Sequence, residues 1–128
     1  MEKFRIITLG EVLEAFDALV PNGFSREEKV RWLSSLDGKI FWEIITLHLE
    51  RDHILSPYEV DELDTQLLVP EPFGMELYLS FLENQVDHYN GDTARYNNSL
   101  NRLSIHYREY ARWYHRTSPW PKCERKFW

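Results

Sequence analysis

The chain has 128 residues, a formal net charge of −6 and a single cysteine, Cys123. Its length fits one domain, and a content of 43% hydrophobic and 28% charged residues is typical of a globular protein. One cysteine excludes a disulfide framework and a multi-cysteine zinc site, and no apolar run reaches the roughly 18 residues of a membrane span. The N-terminal residues lack the pattern of a secretion signal, so we expect a soluble, intracellular protein.

The charge is unevenly distributed along the chain. Residues 102–128 carry a net charge of +5, so residues 1–101 carry −11. An acidic body repels phosphate backbones, and we therefore do not expect specific nucleic-acid binding. The basic C-terminal part is instead a candidate contact for an acidic partner.

Two capping-box sequences predict the starts of the first two helices. Thr8 with Glu11, and Ser25 with Glu28, have the spacing at which each side chain satisfies a backbone amide at a helix start. A Pro-Asn-Gly turn ends the first helix, whereas the glycine at position 38 leaves open one long second helix or two short ones. Apolar spacing predicts buried faces made of Leu9, Val12, Leu13, Phe16, Leu19 and Val20 in the first helix, and Val30, Leu33, Ile40, Ile44 and Leu47 in the second.

Residues 50–74 contain three prolines and predict an extended connector with one helical turn at most. Two interpretations remain open for this segment. It is either a functional or mobile linker, or it wraps the core through its apolar residues. Those residues are Ile54, Leu55, Leu67, Leu68 and Val69.

The last two predicted helices form an antiparallel hairpin, because only a short turn at Gly91 and Asp92 joins them. The third helix runs from about Met75 to Asn90. In the fourth helix, Asn97 lies beside the apolar seam, and we expect it to set the register of the two packed helices. The seam alternates spacings of four and three residues through Tyr96, Leu100, Leu103, Tyr107, Tyr110 and Tyr114.

The expected fold is therefore all-α, with about four helices. An N-terminal helix pair and a C-terminal antiparallel hairpin are joined by a long, proline-containing connector. We predict a single helical domain over residues 1–118 and a tail of proline, aromatic and basic residues over 119–128.

The sequence contains little that points to catalysis. There is no glycine-rich phosphate loop and no recognisable setting for a nucleophile, and Cys123 lies in a proline- and charge-rich tail. His48, Asp52 and His53 are a weak metal-ligand pattern, for which a histidine near a helix C-terminus is the favoured interpretation. The acidic run 59–64 lacks the central glycine of a calcium loop and predicts a solvated segment. We expect no enzymatic activity, no cofactor and no metal site.

The C-terminal part contains the predicted interaction site. Arginines that recur every four residues form one basic stripe on the fourth helix, and the following tail adds tryptophan, which dominates many protein interfaces. Docking on another protein or subunit is the favoured interpretation; folding back on the chain's own core and nucleic-acid contact are the alternatives. The candidate interaction residues are Arg108, Arg112, Arg116, Trp120, Arg125, Lys126, Phe127 and Trp128.

Four segments resemble a family of small structural proteins from bacteriophages and prophages of Gram-positive bacteria. They are TLGEV at 8–12, KVRWL at 29–33, LLVPEPF at 67–73 and YNGDTARYNNS at 89–99. The resemblance covers most of residues 6–116 and does not include the tail after Ser118. The family itself looks like the head–tail connector, or head-completion adaptor, group, whose members are small, mostly helical proteins that form rings beneath the portal.

This resemblance implies a virion structural protein that acts in the phage neck, or in the host cytoplasm during assembly, without a membrane. The implied partners are the portal, neighbouring adaptor subunits and tail-completion subunits, with homo-oligomers forming on assembly. We hypothesise that the tail around Arg112, Arg116, Trp120 and Trp128 contacts a neighbouring subunit or the portal. The alternative is a small phage-encoded regulatory or DNA-binding helical protein, whose arginine stripe would contact phosphates.

Overall fold

The structure, a computed structural model, describes residues 4–49 and 55–121. In these ranges it is all-α, as predicted, with four α-helices: α1 (Leu9–Leu19), α2 (Arg26–Ile40), α3 (Gly74–Asn90) and α4 (Thr93–Thr117). A π-helical turn (Phe41–Ile45) and a 3-10 turn (Thr46–His48) extend α2 without a break. No helix in the described ranges is both long and apolar enough to cross a membrane.

Local signals place the helix starts where the sequence predicts them. The Thr8 side chain accepts a hydrogen bond from the Glu11 amide, and the Glu11 carboxylate accepts one from the Thr8 amide. The same reciprocal pair forms between Ser25 and Glu28 at the start of α2. Of the two possibilities for the second helix, the continuous one is correct, because α2 passes through Gly38 without a break.

The π turn corrects the predicted buried face of the second helix. Ile40 and Ile44 are buried as expected, but Leu47 is exposed and His48 is buried in its place. A π turn adds one residue to the helical repeat, so the side chains that follow it rotate by one position. The inward position therefore passes from Leu47 to His48.

The connector wraps the core over its described part, residues 55–73. Leu67 and Val69 are buried, and backbone hydrogen bonds hold the connector beside the residues that precede and begin α1. The Leu67 amide donates to the Ile7 carbonyl at 2.8 Å, and the Leu9 amide donates to the Thr65 carbonyl at 2.8 Å. Of the two interpretations left open, this supports the wrapping one, while Ile54 lies outside the described residues.

Helices α3 and α4 form the predicted antiparallel hairpin. Gly91 ends α3 with φ of +71°, a left-handed conformation that glycine adopts without steric cost. Glu83 pairs with Arg102 at 2.7 Å. Glu76, about two turns earlier in α3, lies 3.8 Å from His106, which is later in α4. Residue numbers thus fall along α3 as they rise along α4, which defines antiparallel packing.

The residue that sets the hairpin register is Ser99, and the prediction for Asn97 is wrong. Asn97 is exposed, whereas Ser99 is fully buried between the helices. The Ser99 hydroxyl donates to the Asp87 carboxylate at 3.0 Å and accepts from the Asn84 amide at 3.1 Å. The contact face of α4 therefore passes through Ser99, whereas Leu100 beside it is exposed.

We expect Ser99→Ala to destabilise the protein by about 1–3 kcal/mol, because the buried Asp87 carboxylate loses its donor. Asn97→Ala, two residues away on the exposed face, should change stability by less than about 0.5 kcal/mol. Urea unfolding of both variants measures the difference. Equal effects of the two substitutions would contradict the assignment of the register to Ser99.

Candidate functional site

The described candidate interaction residues lie on two parts of the surface. The stripe arginines Arg108, Arg112 and Arg116 are all exposed on α4, as their spacing predicts. Trp120 lies beyond the end of α4, against the 3-10 turn. Cys123 lies outside the described residues, and so do the remaining candidates, Arg125, Lys126, Phe127 and Trp128.

Trp120 packs on a pair of histidines that the sequence does not link. Its ring lies 4.0 Å from the His48 ring and 5.5 Å from the His115 ring, centroid to centroid. His48 Nδ1 is 3.1 Å from the Pro119 carbonyl oxygen, so it carries a proton and donates it there. The segment after α4 is thus fastened to the end of the α2 extension, although Trp120 itself remains 55% exposed.

The two histidines share one hydrogen bond. His48 Nε2 lies 2.8 Å from His115 Nδ1, so one nitrogen donates and the other accepts. A proton on both nitrogens would place two N–H groups against each other. Burial, followed by the charge of His48, lowers the pKa of His115. His48 thus packs at a helix end, whereas Asp52 and His53, the other members of the predicted metal-ligand pattern, lie outside the described residues. Within the described ranges there is no group of three or more potential metal ligands.

An open groove of about 580 Å³ lies where α2, α3 and α4 meet. Its lining is mainly apolar, with two cations at the edge. Lys39 Nζ lies 5.7 Å from the Tyr107 ring centroid, and the Tyr107 hydroxyl donates to the Glu43 carboxylate at 2.6 Å. The apolar lining includes Leu36, Phe81, Leu100 and Leu103, and the cations are Lys39 and Arg108.

The cations of this groove are available to a partner. Within the described residues, neither Lys39 nor Arg108 has a carboxylate at ion-pair distance, and both are exposed. Apolar surface surrounded by exposed charge is the usual composition of a protein interface. The groove is therefore suited to an apolar segment with acidic flanks.

A second groove, of about 730 Å³, lies between α1, the start of α2 and the connector, and it is acidic. Two of its carboxylates already have partners on the chain. Glu11 pairs with Arg5 at 3.0 Å, and Asp17 pairs with the buried Lys29 at 2.6 Å. The acidic and basic grooves are thus separate parts of the surface.

Asp37 of α2 is a fully buried carboxylate. It accepts hydrogen bonds from the Tyr78 hydroxyl at 2.7 Å, from the Leu68 amide at 3.1 Å and from the Tyr58 hydroxyl. Burial raises the pKa of Asp37, and these three donors oppose that shift. Because all three donors belong to the protein, Asp37 fastens the connector and α3 to α2. The sequence signal for this buried carboxylate is the position of Asp37 on the apolar face of α2, four residues after Leu33.

Comparison with protein-family models, curated proteins and solved structures finds no significant match to this chain.

Proposed function

We propose that this protein is a structural subunit of a phage or prophage particle and that it acts as a head–tail connector beneath the portal. The observation that supports this role is the apolar groove with its basic edge, Lys39 and Arg108. Exposure of an apolar lining to water is unfavourable in free energy, and contact with another protein removes that exposure. The phage context comes from the resemblance of four segments, which include residues 67–73 and 89–99.

Several large apolar side chains outside the groove are also exposed to solvent. Trp42 and Ile105 are both at least half exposed, in addition to Trp120. Trp is enriched at the energetic centres of interfaces. A subunit that is covered on several sides by partners accounts for this distribution better than a free monomer does.

The tail after Ser118 is the proposed contact with the portal or with a tail-completion subunit. Trp120, at the start of this tail, is anchored against His48 at the end of the α2 extension. The net charge of −11 on residues 1–101 makes a basic tail complementary to the bodies of neighbouring copies as well.

We expect inactivation of the gene in the prophage that encodes this chain to block the joining of heads and tails. After induction, electron microscopy should show DNA-filled heads and free tails, and expression of the wild-type chain from a plasmid should restore joined particles. Joined, infectious particles in the absence of the chain would exclude the connector role.

The alternative role in DNA binding depends on the arginine stripe, Arg108, Arg112 and Arg116. No described carboxylate lies within ion-pair distance of these three exposed residues. Three phosphate contacts would weaken binding about 40-fold between 50 and 200 mM salt. Duplex binding with that salt dependence, abolished by replacing all three arginines with glutamine, would favour this alternative.

A further inference from the structure

The apolar groove at α2, α3 and α4 has a complementary surface elsewhere on the same chain. Helix α1 contains Glu11, Glu14 and Asp17 and no Lys or Arg. Glu11 and Asp17 pair with Arg5 and Lys29, whereas within the described residues no Lys or Arg lies at ion-pair distance from Glu14. Its last residue, Leu19, is 66% exposed although its spacing continues the apolar stripe of the helix. An acidic helix with a protruding leucine has the properties that the basic-edged groove requires.

We propose that the C-terminal half of α1 of one copy docks in this groove of a second copy. Leu19 would enter the apolar part formed by Leu36, Phe81 and Leu103, and Glu14 would approach Lys39 and Arg108. Charge complementarity sets the direction, because the described residues of the groove lining include both cations and no carboxylate. This inference rests on the proposed connector role, and it names the contact between neighbouring subunits.

The same chain cannot fill its own groove in this way. The face of α1 that contains Val12 and Phe16 is buried against the core and fixes the helix in place, so neither Glu14 on its outward face nor Leu19 at its exposed end can turn toward the groove. No residue of α1 lines the groove. The docking helix α1 (the donor) and the groove (the acceptor) are therefore two different surfaces of one folded chain.

Two different patches make the contact heterologous, so that each copy offers α1 to one neighbour and its groove to another. Repeating such a contact produces a closed ring when the rotation between copies closes, and a filament when it does not. In a closed ring, every subunit is held from both sides.

Two double variants test the two sides of the contact separately, one in the donor helix α1 and one in the acceptor groove. Glu14→Gln with Leu19→Gln removes the charge and the apolar insert of α1 and leaves the groove intact. Lys39→Glu with Arg108→Glu reverses the groove and leaves α1 intact. Arg31→Glu with Arg95→Glu is the matched control, because it makes the same charge change at exposed sites of α2 and α4 outside the groove lining.

Light scattering on a sizing column measures the molar mass of each variant and of their mixture. We expect the wild type and the control to assemble with rising concentration, and each of the other variants to stay at the monomer mass of 15.5 kDa. An equimolar mixture of the donor and acceptor variants should form dimers and nothing larger, because only one working interface is available per pair. Circular dichroism confirms that each variant retains its helices.

Three results would overturn this inference. They are a wild type that remains monomeric at about 1 mM, variants that assemble like the wild type, and a mixture that never exceeds the monomer mass. The gene-inactivation experiment depends on none of these, so the connector role and this subunit contact can fail separately. Assembly that both variants retain would mean that another surface joins the copies.

Discussion

Asp37→Ala is expected to lower the free energy of unfolding by about 3–5 kcal/mol, a large part of the roughly 5–15 kcal/mol of a typical domain. The substitution leaves three donors without their acceptor: the hydroxyls of Tyr58 and Tyr78 and the amide of Leu68. Each unsatisfied buried group costs about 1–3 kcal/mol. The Tyr78 hydroxyl also accepts from the Val69 amide, so the loss extends to a second connector residue.

Urea unfolding at neutral pH, followed by circular dichroism, measures this loss. Asp61→Ala is the matched control, because Asp61 is an exposed carboxylate of the connector and its removal should matter by less than about 0.5 kcal/mol. A loss below about 1 kcal/mol for Asp37→Ala would show that water replaces the carboxylate and that the connector is held by its apolar contacts alone.

The pH dependence of the same variant provides an independent check. The raised pKa of Asp37 means that the folded protein holds this proton more tightly than the unfolded chain does. The contribution of Asp37 to stability therefore falls as the pH rises from about 4, the usual value, through the folded-state pKa. The difference in stability between the wild type and Asp37→Ala should shrink over that interval.

The elements that the sequence predicts well are those with local causes. Capping boxes, a glycine at the end of α3 and helical spacing all act within a few residues, and the helix starts at Leu9 and Arg26 follow from them. The π turn at 41–45 has no such signal. It decides whether Leu47 or His48 is buried, and a uniform helical repeat predicts the wrong one.

The contacts that build the sites join residues far apart in the chain. The partners Tyr58 and Tyr78 lie 21 and 41 residues from Asp37, and His48 and His115 are separated by 67. Periodicity along one helix carries no information about such pairs. The groove illustrates the same limit, because Leu100 belongs to the predicted seam, yet packing of α4 on Ser99 leaves it exposed.

The C-terminal part combines one feature that the sequence predicts, the arginine stripe, with one that it does not, the contact of Trp120. Exposed arginines at 108, 112 and 116 follow directly from a spacing of four residues. The contact of Trp120 with both histidines does not follow from the sequence, because His48 lies far from Trp120 and His115 along the chain. Of the interpretations weighed for the tail, Trp120 adopts contact with the chain's own body, whereas docking by the residues beyond Pro121, which lie outside the described residues, stays a prediction.

Gly74→Ala is the second substitution with a large expected effect, a loss of about 3 kcal/mol in the free energy of unfolding. A Cβ at this position would lie 2.2 Å from the Val69 carbonyl oxygen and 2.5 Å from Ile7 Cδ1. The first of these atoms is backbone, so relief requires a shift of the connector or of the start of α3. Overpacking of this kind costs about 1–3 kcal/mol, and we expect the upper end because the connector backbone is itself hydrogen-bonded to the segment before α1.

Gly38→Ala is the matched control, and its expected effect has the opposite sign. Nothing lies within 4 Å of a Cβ at position 38, which is inside α2. Alanine there should stabilise the protein by about 0.5–1 kcal/mol, because glycine loses more backbone freedom in a helix. Thermal and urea unfolding of both variants test the pair. A destabilised Gly38→Ala would mean that α2 bends at the position where the sequence allows a break, whereas an unaffected Gly74→Ala would mean that the connector does not pack on α3 as closely as these distances require.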